Sequence, residues 1–245
     1  MDISIRTLRR AIRRSAAMNR GLRFVLPKYR RLAVNSETEI VIEGYPRCAN
    51  TFAVVAFTQS QPRPVKVAHH LHSIAQLRRG VQLGIPALVL LRDPREAVLS
   101  LAIRLEHATP QWAAEEYIDF HAGVAQLQEY VLFADFEEVT SDFGKVIRKL
   151  NNRFRSCFSE FEHTDANVAK CYEQIDSIER RDAGGRNLRA THVARPSDDR
   201  RRCKDAIAAL LDSPEVLPLI READRLYRDL TETRITQTAN ACAER

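Results

Sequence analysis

The sequence predicts a three-layer α/β fold, with a central parallel β-sheet flanked by helices and a helical C-terminal part. Two observations carry that expectation. Ile40-Val-Ile42 and Ala87-Leu-Val-Leu-Leu91 are the apolar runs of parallel strands covered on both faces. Each passes within a few residues into a helix opening, and strand and helix go on alternating to about Phe154, an order that builds a parallel sheet.

The elements follow in order along the 245 residues. Residues 1–31 hold ten Lys or Arg against Asp2 alone, so the formal charge of +6 is an N-terminal excess over a net acidic remainder. Ile5, Leu8 and Ile12 lie there at helical spacing among arginines. This pattern suits a solvated helix packing a narrow stripe, an interfacial helix on anionic lipid, or a nucleic-acid arm. After the first strand, Thr51 to Phe57 continues as a helix. Val65-Lys-Val-Ala-His-His-Leu-His72 is a short strand ending in three histidines. After Ala87–Leu91, Asp93 and Pro94 form an N-cap and N1 pair. Helix is expected over Gln111–Leu127, strand over Tyr130–Phe133, and helix over Ser141–Phe154, with Glu137 and Glu138 as sheet-end or helix-lead residues. The rest is helical: Asp165–Arg181, Ser197–Leu211 capped by Ser197, and Pro214–Leu230. Gly184 to Ser197 is the most loop-like interior stretch.

The length favours one sizeable core, with no repeat or linker. The expected division is a basic helical segment at 1–33, a single α/β domain at 34–235 and a tail at 236–245. Five cysteines without paired spacing point to a reducing compartment. The longest apolar runs, such as Ile85 to Leu91, are too short to cross a bilayer, and the N-terminus has no secretory apolar core. The expected location is cytoplasmic, with peripheral membrane contact through the N-terminal arginines as an option.

The chemistry concentrates at the strand ends. Glu-Gly-Tyr-Pro-Arg-Cys-Ala-Asn-Thr-Phe, Glu43 to Phe52, is a strand–turn–helix junction that aims backbone N–H groups and a positive helix end at one point. Arg47, Asn50 and Thr51 add side-chain donors. The Walker pattern Gly-x4-Gly-Lys-Ser/Thr is absent. About forty residues on, Arg92 stands at the carboxyl end of a strand and Ser100 nearly two turns into the next helix, where the pair can grip a second phosphate.

These two elements, in this order, resemble the cytosolic and carbohydrate-directed sulfotransferases that use 3′-phosphoadenosine 5′-phosphosulfate (PAPS). The resemblance covers roughly Ile40 to Leu150. It implies a P-loop-like fold, PAPS as donor, PAP as product and no metal. It also implies that Tyr45, Pro46, Arg47, Cys48, Ala49, Asn50, Thr51 and Phe52 form the 5′-phosphosulfate loop. Tyr45, Pro46, Arg47 and Thr51 match the family's motif, Arg47 standing where many members carry Lys; Cys48, Ala49 and Asn50 depart from Ser-Gly-Thr. Phe52 replaces Trp and keeps an aromatic face for the adenine. Arg92 and Ser100, eight positions apart, would hold the 3′-phosphate. A C-terminal basic loop completes that site in the family, which makes Arg186, Arg189 or Arg195 a candidate, Arg195 being taken here; a solvated hinge is the alternative.

The base follows from the same resemblance. It is often a His just past the second strand and before an apolar residue, which selects His70 by its pairing with Leu71. Imidazole suits removal of a hydroxyl proton near neutrality. If the strand persists, His70 and His72 share one face and His69 takes the other, packed behind. His69 becomes the base if the strand ends early, and some carbohydrate-directed relatives use a carboxylate. The His-His-x-His run lacks the Cys or Glu that would complete a metal site.

The function expected is sulfuryl transfer from PAPS to a hydroxyl, with Arg47 at the transferring group. The acceptor expected is a carbohydrate or glycolipid, because about twenty residues between donor loop and base leave little room for a lid enclosing small phenols. No nucleic acid is expected, and no oligomeric state is predicted. Two rivals are a P-loop-like kinase, which would need Mg²⁺ ligands and a phosphate-binding Lys, and a noncatalytic basic module for membrane or polyanion.

Overall fold

The computed structural model describes residues 31–105, 108–182, 184 and 197–243. The N-terminal arginines up to Arg30, and Arg186, Arg189 and Arg195 of the basic loop, lie outside the described residues.

Four parallel strands form one sheet: β1 Ile40–Gly44, β2 Val67–His69, β3 Ala87–Leu91 and β4 Leu132–Asp135, in spatial order β2-β1-β3-β4. The register aligns Ile42 with His69, Gly44 with Leu90 and Leu91 with Asp135, so all four carboxyl ends reach the same edge. The helices are α1 Asn50–Ser60, α2 Ile74–Gln82, α3 Pro94–Ala102, α4 Pro110–Ala125, α5 Phe136–Ser141, α6 Phe143–Phe154, α7 Asp165–Asp182, α8 Asp198–Ala208 and α9 Leu217–Ala243.

The apolar strands predict where the core sits: every residue of β1 and β3 is buried, because helices cover both faces. Helix α1 packs against β1 on one side and α7 on the other, which explains why its sequence is apolar nearly all round. Helices α2, α3 and α9 pack on α4. The strand order reverses direction between β1 and β3, and at such a switch point the loops leaving two adjacent strands part and open a crevice. The loops after Gly44 and Leu91 are those two loops.

Among the boundaries that differ from expectation, three bear on how the elements end. Gln128–Tyr130 closes a 3-10 turn, so β4 starts at Leu132 rather than Tyr130. The helix expected from Ser141 is two helices: Asp135 and Glu138 form a capping box for α5, and Asp142 caps α6 by accepting from the Lys145 N–H. The last helix begins at Leu217 and continues to Ala243. Within it, Gln237 accepts from the Phe133 N–H and donates to the Val131 carbonyl, so it covers the outer edge of β4.

Candidate functional site

The loop after β1 is built by inward-facing side chains. Tyr45 is buried and its hydroxyl donates to the Ala113 carbonyl at 2.8 Å. Asn50 Nδ2 donates back across the turn to the Tyr45 carbonyl at 2.9 Å. Cys48 is fully buried, and burial pushes its thiol up to about 12. Gly44 allows the close approach beneath, since a Cβ there would lie 2.7 Å from the Leu90 carbonyl oxygen. Arg47 and Ala49 take left-handed φ values of 75° and 63°, and Ala49, the N-cap of α1, offers that helix no side-chain cap. Alternating backbone of this kind forms a concavity of N–H groups suited to an anion. Pro46, Arg47, Ala49 and Thr51 keep part of their surface accessible. The side chains of Tyr45, Cys48 and Asn50 are buried and brace the loop from within.

Phe52 corrects an expectation. Its ring lies among Phe161, His163 and Tyr172 at 5.8 to 6.3 Å between centroids and is 4% exposed, so it does not present an open face to an adenine.

Arginines converge beside the loop. Ser100, buried on α3, accepts from Arg47 Nε at 3.3 Å and from an Arg200 guanidinium N–H at 2.7 Å. Arg92 does not reach Ser100 in this arrangement. It donates to the Arg47 carbonyl at 2.8 Å and to Glu96 at 3.2 Å, and lies 4.1 Å over the Phe136 ring, so it fastens the loop. Burial, reinforced by Arg200 and Arg104, pushes the Arg47 guanidinium from 12.5 down to about 9. Burial, with Arg92 and Arg104, likewise disfavours the Arg200 cation, while Glu179 of α7 offsets part of the repulsion. All of these guanidiniums remain charged at neutral pH. Clustered, partly desolvated cations of this kind are stabilised by an anion entering among them.

The histidines are arranged differently from an extended strand. Strand β2 stops at His69; His70 and His72 then take left-handed φ values of 57° and 49°. His69 is therefore not packed behind the strand: its Nδ1 lies 2.5 Å from His70 Nδ1, and the two rings meet edge to face. His70 Nε2 lies 3.1 Å from Thr51 Oγ1, at the first turn of α1. A hydrogen bond between two Nδ1 atoms needs the proton on one of them. With it on His70, the Nε2 lone pair points toward Thr51 at the end of the loop after β1. His72 Nδ1 lies 2.7 Å from the Gly44 carbonyl.

No local sequence signal marks Arg200, Arg104, Glu179 or Glu43. Arg200 is one of three consecutive arginines, and only helical phase separates them: Arg200, Lys204 and Ile207 share the face of α8 turned inward, while Arg201 and Arg202 pair with Asp198 and Asp199 in solvent. Glu43 sits fully buried at the end of β1, where burial pushes its carboxyl up to about 7 against the pull of four donors, the Leu71, His72 and Gly44 N–H groups and the Gln76 amide. Among the described residues, no three metal-ligating side chains converge.

No protein-family model matches this chain, and no curated protein matches its sequence. Among solved structures, the crystal structure of mouse sulfotransferase SULT7A1 complexed with PAP aligns with 78% of this chain and 90% of that chain, at 15% sequence identity and a TM-score of 0.42. A likeness that distant assigns no activity, and the chemistry rests on the residues of this chain.

Proposed function

We propose that the chain is a sulfotransferase that moves the sulfuryl group of PAPS to a hydroxyl of a carbohydrate or glycolipid. The observation that carries this reading is the meeting of Arg47 and Arg200 on the Ser100 hydroxyl, beside an N-terminal helix end that its own N-cap leaves uncapped. The fit is to a nucleotide with anionic groups at both ends of its sugar. The loop N–H groups and Arg47 suit the 5′ end, and Ser100 with Arg200 suits the 3′-phosphate. PAPS, when bound, supplies the activated sulfuryl group.

The protein's own part is positioning and charge. Arg47 is placed to stabilise the negative charge that grows on the leaving oxygen. Arg92 holds the Arg47 carbonyl and so fixes the loop. His70 takes the acceptor's proton at Nε2, with His69 holding the tautomer through the Nδ1 contact. Only residues 61–66 connect α1 to β2, which leaves that connection little room to form a lid and favours a large acceptor.

Two measurements test the reading. PAP should raise the melting temperature more than ATP with Mg²⁺, heparin or anionic vesicles do, since a ligand of the native state stabilises it. Labelled PAPS offered with phenols, glycolipids and polysaccharides should then identify the acceptor. Stronger stabilisation by ATP with Mg²⁺ would favour a kinase, and turnover confined to phenols would remove the carbohydrate assignment.

A further inference from the structure

The carboxylate of Glu43 reaches past the end of β2 to the turn that follows. Its Oε1 accepts from the Leu71 N–H and from Gln76 Nε2, both at 2.8 Å, and Oε2 accepts from the His72 N–H at 3.0 Å. Gln76 is itself held, with its Oε1 accepting from the Val34 N–H at 3.1 Å. The His72 ring is pinned alongside, Nδ1 lying 3.7 Å from Glu43 Oε2.

The turn so gripped is one that backbone sterics oppose. His70 and His72 are both left-handed, and residues with a Cβ keep that conformation only where their surroundings impose it. The result of the turn is visible at His70. An extended continuation would send the His69 and His70 rings to opposite faces; instead they touch, and His70 Nε2 faces Thr51.

We propose that Glu43 is a positioning residue for His70: its buried carboxylate captures the Leu71 and His72 N–H groups, folds the histidine turn back and sets the His70 imidazole against the donor loop. The catalytic value of that placement rests on the sulfotransferase reading; the placement itself does not. The Leu71, His72 and Gly44 N–H groups and the Gln76 amide all donate to the carboxylate, so a glutamine amide there would set N–H against N–H. Glu43→Gln therefore releases the turn with almost no change of volume.

The test is nitrogen NMR of the imidazoles in the full chain. In folded Glu43→Gln, with a melting temperature close to the parent's, the His70 ring nitrogens should shift while those of His121, in α4, stay in place. PAP affinity should hold while turnover falls about 10²-fold, the scale of a catalytic group displaced by about 1 Å. Unchanged His70 signals in the folded variant would overturn the proposal. If the parent transfers no sulfuryl group at all, the reaction assignment fails, and the ring signals still decide whether Glu43 positions the turn. Should the variant not fold, amide exchange in the parent decides. The Leu71 and His72 N–H groups should exchange as slowly as those of β2, and fast exchange would overturn the assignment.

Discussion

Arg200 and Ser100 stand 100 residues apart in sequence, yet the guanidinium of one donates to the hydroxyl of the other at 2.7 Å. The same oxygen accepts from Arg47. One serine thus ties α8 to α3 and to the loop after β1, and it brings together two cations that disfavour each other's charge. Such an arrangement is less stable empty than filled, and its consequences can be measured.

Arg200→Met keeps an aliphatic stem and removes one cation. PAP affinity should fall by about 1.5–3 kcal/mol, the usual worth of a hydrogen bond to a charged group. The melting temperature without ligand should hold or rise, because repulsion has been relieved at a site shaped for binding rather than stability. Calorimetry and a thermal scan read the two effects. A lower melting temperature with unchanged PAP affinity would make Arg200 a structural residue.

Arg47→Ala should act mainly on turnover. Removing one preorganised donor from a developing oxyanion typically costs about 10² to 10³ in rate. Steady-state assays with the labelled donor measure it. Near-parental turnover would take Arg47 out of the chemistry, even though it shares Ser100 with Arg200.

What the sequence reveals and what it conceals divide along a physical line. Strands β1 and β3 and the start of α3 are legible because their signals are local: continuous apolar runs, and Asp93 accepting from the Glu96 N–H. Arg47 and His70 can be picked out because each lies just past a strand, and Ser100, on α3, because of its spacing from Arg92. Arg200 is hidden because its role depends on which face of α8 turns inward. Glu43 is hidden because its partners come from a different strand–helix connection. The left-handed turn at His70 and His72 carries no glycine to announce it, and it is this turn that overrides the alternation expected of an extended segment. Phe52 reads as an accessible aromatic only until α7 and the segment before it bring Tyr172, His163 and Phe161 onto its ring.

The histidine pair separates by mutation. His70→Ala should abolish most turnover with PAP affinity intact, because the proposed donor contacts lie on Arg47, Ser100 and Arg200. His69→Ala should leave a smaller activity, since it removes only the partner that fixes the His70 tautomer. Both are read by turnover and calorimetry. Full activity in His70→Ala with loss in His69→Ala would exchange the roles, and full activity in both would point to a carboxylate base.

His121 gives a pH dependence whose sign can be worked out. It is fully buried, stacked on Tyr117 at 3.9 Å, with Nδ1 bonded to the Tyr117 carbonyl and Nε2 without a partner among the described residues. Burial holds its pKa down from 6.5 to about 4. Between those values the unfolded chain binds the proton and the native state does not, so the His121 contribution is lost as pH falls through that window, at up to about 1.4 kcal/mol per pH unit. Glu43, raised from 4.5 to about 7, works the other way: its contribution is full below 4.5 and is lost as pH rises toward 7. Glu39, Glu96 and Glu138 are held below 4.5 and act only in more acid solution. In the parent the two slopes therefore oppose each other over nearly the same range. Denaturant titrations of the parent and His121→Phe between about pH 4.5 and 7 should differ by a term that grows on acidification, with the variant gaining relative stability at the acid end. A constant difference across the range would mean that His121 is not buried in its neutral form.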